Sequence, residues 1–226
     1  MMWAICIQEF KSLFKTWKSM LVIILFLSIS FLSGKFFSNH QTLLMNNGDV
    51  PVFVSSIRAL VLFLGTLFVM ALSHDCVNKE IEHQTMRLLV TKCSRDAIIF
   101  GKFLGIFLFW GVCLLISFSI VSLYSNEFYI MELIKLLSFL SFVIAIAILL
   151  SSFVHRPNHT MFLGILVGLL IPIIGIWSLF DARISMLKYM FPYYYMMENG
   201  LYIFVPLLFS FLIVLLVILY MRGRDF

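Results

Sequence analysis

Charge is scarce in this chain. Asp, Glu, Lys and Arg make up 12% of its 226 residues, against 62% hydrophobic ones. A soluble domain of this size could not hide that much apolar surface, and its exposed patches would aggregate. Little is left over for a folded domain outside a bilayer. The formal net charge is +5, but the basic residues are scattered between apolar runs and form no dense stripe, which argues against nucleic-acid binding. Signatures of chemistry are missing as well. There is no G-x-x-x-x-G-K-[ST], because Gly34-Lys35 and Gly101-Lys102 lack both the upstream glycine and the following Ser or Thr. There is no H-E-x-x-H and no G-x-S-x-G. Cys6, Cys76, Cys93 and Cys113 show no metal spacing and read as reduced thiols. His155 and His159 are separated by Pro157, and His83 beside Glu80 and Glu82 reads as solvated charge. The expectation is a non-catalytic chain that binds no metal and no cofactor of its own.

What is present is a set of long apolar runs. They predict an all-α polytopic membrane protein, a single transmembrane domain with six spans at about Ser19–Phe37, Val52–Leu72, Phe103–Tyr124, Leu133–Val154, Met161–Phe180 and Leu201–Met221. Each is near the roughly 20 residues that cross a bilayer. With the N-terminus inside, eleven Lys and Arg (11, 15, 18, 79, 87, 92, 95, 102, 156, 222 and 224) fall on the inner side and five (35, 58, 135, 183 and 188) on the outer. That bias predicts cytoplasmic termini. Arg58 and Lys135, near outer span ends, are expected to snorkel to the headgroups. No small-x-small site follows the first apolar run convincingly, so an uncleaved first span is expected.

Two polar segments have helical periodicity. In residues 2–18, Trp3, Cys6, Phe10, Leu13, Phe14 and Trp17 form an apolar stripe opposite Gln8, Lys11, Ser12, Lys15 and Lys18. This predicts an amphipathic helix lying in the inner interface. In the inner loop Ser73–Lys102, Ile81, Thr85, Leu88 and Leu89 form a second stripe with a charged rim. One short helix over Lys79–Lys92, held under the membrane as a docking element, is expected. Ser94 followed by Asp96 marks the next helix start.

That loop resembles the first cytoplasmic loop of ATP-binding-cassette (ABC) type-2 transporter permeases. The similarity rests on Glu80-Ile81-Glu82-His83-Gln84-Thr85, Leu88-Leu89, Cys93-Ser94-Arg95 and Gly101-Lys102. Gln84 stands where the family usually has glycine, and Cys93 where it usually has proline. The interfacial helix resembles the family's elbow helix. The resemblance implies a subunit of a bacterial plasma-membrane exporter, paired with an identical or different second permease on two cytosolic ATPases that hold ATP and Mg. It implies a coupling helix that docks the ATPase through Glu80, Glu82, Thr85, Leu88, Leu89 and Arg95, and an elbow marked by Trp3, Phe10, Phe14 and Trp17.

The outer segment Asp181–Gly200 is too apolar for a free loop and too broken by Pro192 for a span. Short helices dipping back into the outer interface are expected, with Tyr193–Tyr195 at headgroup level. The resemblance implies that this segment closes the pathway, with Pro192, Tyr193 and Tyr194 as gate residues. Gly164-x-x-x-Gly168 and Gly101-x-x-x-Gly105 permit close helix packing. Small outer loops and aromatic-rich spans suit an amphipathic or apolar cargo such as an antimicrobial peptide. A secondary transporter or channel would show mid-membrane ionisable residues or two similar halves. An intramembrane enzyme would show catalytic pairs. Neither pattern is evident.

Overall fold

The computed structural model describes residues 2–39, 52–154, 156–181, 186–198 and 200–223, with the backbone alone at positions 52, 87 and 88. Among these residues there is no strand. Six helices are long and apolar enough to cross a membrane: Trp17–Asn39, Phe53–Glu82, Arg95–Ser125, Ile130–Phe153, Pro157–Phe180 and Gly200–Arg222. The reason is direct. In hydrocarbon a backbone must satisfy its own hydrogen bonds, and an unbroken helix does so within one segment.

A short helix, α1 (Met2–Lys15), precedes the first span, α2 (Trp17–Asn39). The turn between them is tied by side-chain hydroxyls. Thr16 Oγ1 donates to the Leu13 carbonyl at 2.9 Å, and Ser19 Oγ to that of Thr16 at 2.8 Å. The second span is α3 (Val52–Leu60), a π-helical turn at Val61–Gly65, and α4 (Thr66–Ser73). Two short helices, α5 (Asn78–Glu82) and α6 (Thr85–Lys92), lead to the third span, α7 (Arg95–Ser125). Ser94 caps α7 by accepting from the Ala97 amide at 3.3 Å, with Asp96 in the first turn. At 31 residues, α7 is about 46 Å long. The hydrocarbon core is about 30 Å thick, so α7 is longer than a straight crossing requires.

The remaining spans are α8 (Ile130–Phe153), α9 (Pro157–Phe180) and α11 (Val205–Arg222). Between α9 and α11 lies α10 (Pro192–Met197). Of the spans, α8 is the most enclosed, with 72% of its apolar window buried. It packs against α4, α7, α9 and α11 and forms the centre of the bundle. The N-terminal end of α7 gathers α1 and the last turn of α11. Arg95 donates to the carbonyls of Met221 (2.6 Å) and Arg222 (2.8 Å), and Arg222 pairs back to Asp96. This is called the near end below, and the opposite face of the bundle the far end.

Candidate functional site

At the near end, Lys102 projects from the second turn of α7 with 2% of its side chain exposed. Its ammonium lies 3.2 Å from Glu9 Oε2 on α1 and 2.8 Å from Glu80 Oε1 on α5. A buried charge of this kind is costly unless paired, and here one cation holds two carboxylates from two different helices. Glycines let α1 come close enough. A Cβ at Gly105 would stand 2.8 Å from the Cys6 carbonyl and from Glu9 Cβ, and one at Gly101 would stand 3.0 Å from the Met2 carbonyl. The Gly101-x-x-x-Gly105 pair therefore seats α1, not another span. Beside the three charges is a cavity of about 310 Å3, lined in part by Ser12, Asp75, Lys79 and His83.

The loop is fastened to the spans at a second point. Asn78 is buried, and Ser151 Oγ on α8 accepts from the amides of Val77 (2.9 Å) and Asn78 (3.2 Å). The Asn78 side-chain amide donates to Thr160 Oγ1 on α9. This network joins α5, α8 and α9 in a place where the sequence shows only isolated small polar residues. Lys102 carries a sequence signal only as the second residue of the Gly101-Lys102 pair, and Asn78 carries none. Lys102 directly precedes the uncharged run that begins at Phe103, and carboxylates lie in both amphipathic segments, but nothing in the sequence pairs them with it.

The expected single helix over Lys79–Lys92 is divided. It breaks at Gln84, whose φ of 59° is left-handed. That is the position where glycine is usual in the resembling family, and glycine alone takes this conformation without a Cβ penalty. The apolar stripe is split accordingly. Ile81 on α5 and Leu89 on α6 pack against the core, while Thr85 is exposed and donates to the Glu80 carbonyl at 3.2 Å. Glu80 turns inward to Lys102 and Arg95 to the end of α11, so both are used within the chain. Glu82, His83, Gln84 and Thr85 form the exposed edge of the loop. The side chain of Leu88, together with His155, Arg183 and Arg224, lies outside the described residues.

On α1, Ile5, Cys6 and Leu13 are buried against the bundle. The Phe10 and Phe14 rings meet at 4.9 Å, tilted by 54°, and Phe14 meets Phe109 on α7 edge-on at 5.0 Å. Trp3 is exposed, and so is Trp17, which opens α2 instead of closing the interfacial helix expected over residues 2–18, because α1 ends at Lys15. An exposed Trp beside basic residues is the pattern of an interfacial anchor.

At the far end the expectations need correction. Arg58 and Lys135 do not snorkel outward. Both turn onto Glu132, at 3.4 and 3.0 Å. Tyr193 does not face outward from the bundle. It is 3% exposed, because Gly175 leaves room for its ring, Phe139 stacks edge-on at 5.2 Å, and its hydroxyl donates to the Leu62 carbonyl at 2.8 Å. Pro192 starts α10 and is buried. Tyr194 is half-buried, with Lys188 Nζ 5.2 Å from its ring centre. The Gly164-x-x-x-Gly168 pair acts elsewhere: a Cβ at Gly168 would stand 3.0 Å from Leu67 Cα on α4, so Gly168 brings α9 onto the second span.

A family model described as ABC-2 family transporter protein matches residues 3–194. No curated protein matches the chain.

Proposed function

The chain belongs to the ABC-2 transporter family, and we propose that it is the membrane subunit of an exporter whose energy comes from separate cytosolic ATPases. Two ATPase copies and a second permease, identical or different, complete the assembly. The near end faces the cytoplasm of a bacterial plasma membrane, and ATP and Mg belong to the partner. The observation that carries this reading is the buried Lys102, which joins α1, the loop and α7 through Glu9 and Glu80. A push on the loop reaches a span and the interfacial helix through charges held 2.8 and 3.2 Å apart, instead of being lost in a mobile loop. The exposed edge Glu82–Thr85 is then the face that meets the ATPase, with α1 as the elbow anchored by Trp3 and Trp17.

The α10 segment serves as the outer closure. Small outer loops and phenylalanine-rich spans favour an amphipathic or apolar substrate, such as an antimicrobial peptide. Co-expression of the chain with its genomic neighbours, among which an ATPase gene is expected, tests the reading. The two proteins are expected to co-purify, and Glu82→Lys is expected to keep the complex in the membrane while ATP hydrolysis no longer drives transport. A chain that recruits no ATPase, or full transport with Glu82→Lys, would contradict it.

A further inference from the structure

At the far end, three elements meet in register. Arg58 Nη2 donates to the Met196 carbonyl at 2.8 Å, and Tyr193 Oη donates to the Leu62 carbonyl at 2.8 Å. Arg58 and Leu62 are four residues apart on the second span, and Tyr193 and Met196 three apart on α10. Those spacings put each pair on one helix face. Glu132 and Phe139, seven apart on α8, back the two contacts: Glu132 meets Arg58 and Phe139 meets the Tyr193 ring. So α10 is pinned at two points, one at each end of the helix.

The two points differ in kind. Tyr193 sits deep, 3% exposed, and bonds a carbonyl within the π-helical turn at Val61–Gly65. Such turns leave backbone groups for outside partners and occur often where function needs a local rearrangement. The Arg58 point is ionic and divisible. Glu132 carries two cations, Arg58 at 3.4 Å and Lys135 at 3.0 Å, with side-chain exposures of 8% for Glu132, 14% for Arg58 and 9% for Lys135. Breaking a buried ion pair is expensive chiefly because it strands an uncompensated charge. Here Arg58 can leave without doing so, since Lys135 stays on the carboxylate through the adjacent helical turn. Arg58 is also the longer and more exposed of the two cations, able to reach the headgroups on release.

We propose that Arg58 is a releasable tie on α10, that Lys135 is the standing counter-ion which makes its release affordable, and that Tyr193 is the pivot about which α10 lifts. This deepens the permease reading and rests on it in one respect, that the far end opens during transport. The roles of the two cations are opposite. Removing Arg58 frees α10. Removing Lys135 makes Glu132 depend on Arg58 alone and holds α10 down.

The test uses the full chain with its ATPase in proteoliposomes, carrying Ser178→Cys as reporter. Ser178 is 1% exposed and lies one turn from Gly175, under the Tyr193 ring. A charged, membrane-impermeant maleimide is added outside, and peptide mass spectrometry reads labelling at position 178. Arg58→Gln is expected to raise the labelling rate about tenfold, the scale of one lost charge-assisted hydrogen bond. Lys135→Met is expected to lower it by a similar factor, and Arg58→Lys to fall between Arg58→Gln and the parent. Shifts in the same direction for Arg58→Gln and Lys135→Met, as general loosening would produce, would overturn the proposal, and so would an unchanged rate in Arg58→Gln. Labelling is read with and without ATP. Opposed shifts that persist without ATP stimulation would leave the tie standing and count against the ATP-driven reading instead.

Discussion

At Lys102 two carboxylates from separate helices meet one ammonium group that has 2% of its surface exposed. The physical consequence is asymmetric. Losing Glu9 or Glu80 leaves the cation with one partner. Losing Lys102 leaves two acids facing each other with none. Lys102→Met is therefore expected to cost about 3–5 kcal/mol of stability, and Glu9→Gln clearly less, as measured by thermal unfolding in detergent micelles. Equal costs would mean that the three charges do not act as a unit. Gln84 makes a second residue-scale statement. Its φ of 59° carries a Cβ penalty, so Gln84→Gly is expected to raise stability by up to about 1 kcal/mol and Gln84→Val to lower it. A Gly variant less stable than the parent would contradict the left-handed assignment. The sequence contains a hint of this break only by comparison with a pattern that has glycine there. Apolar spacing alone cannot reveal it, since Ile81, Thr85, Leu88 and Leu89 would also fit one continuous helix.

Helix α1 shows what element-scale packing adds to residue patterns. Its burial against α7 is set by Gly101 and Gly105, which replace side chains with a close backbone approach. Gly105→Ala places a methyl 2.8 Å from the Cys6 carbonyl, and overpacking of this sort costs typically about 1–3 kcal/mol. Burial pushes the Cys6 thiol above its ordinary pKa and keeps it neutral and slow to react. Gly105→Ala is therefore expected to speed alkylation of Cys6. Gly111→Ala is the control. Its Cβ meets only Leu137 Cδ2 at 3.9 Å, so Cys6 should react as in the parent. An unchanged rate with Gly105→Ala would mean that α1 is not seated on α7 in this way. The helical character of α1 is legible from its stripe of Trp3, Cys6, Phe10, Leu13 and Phe14. Its partner is not, because GxxxG spacing says that something approaches without saying what.

For the whole molecule, the spans were the most legible feature, because twenty apolar residues in a row have few other fates. Which charges face each other was hidden. Arg58 and Lys135 look like outward snorkelling residues until the fold brings Glu132 between them, from 74 and 3 positions away in the chain. The same holds for Lys102, whose partners lie 93 and 22 positions distant. Among the described residues, folding thus gathers three charges around Lys102 at one end of the bundle and three around Glu132 at the other, with an apolar centre around α8 between them. In the proposed transporter the near cluster receives motion from an ATPase and the far cluster holds the closing segment. Everything depends on the near end being the cytoplasmic one. A cysteine at Glu82 reports on this directly: an impermeant thiol reagent should label Glu82→Cys in inside-out vesicles, fail to label it in intact cells, and be blocked when the ATPase binds. Labelling of Glu82→Cys in intact cells would reverse the orientation and remove the docking role with it.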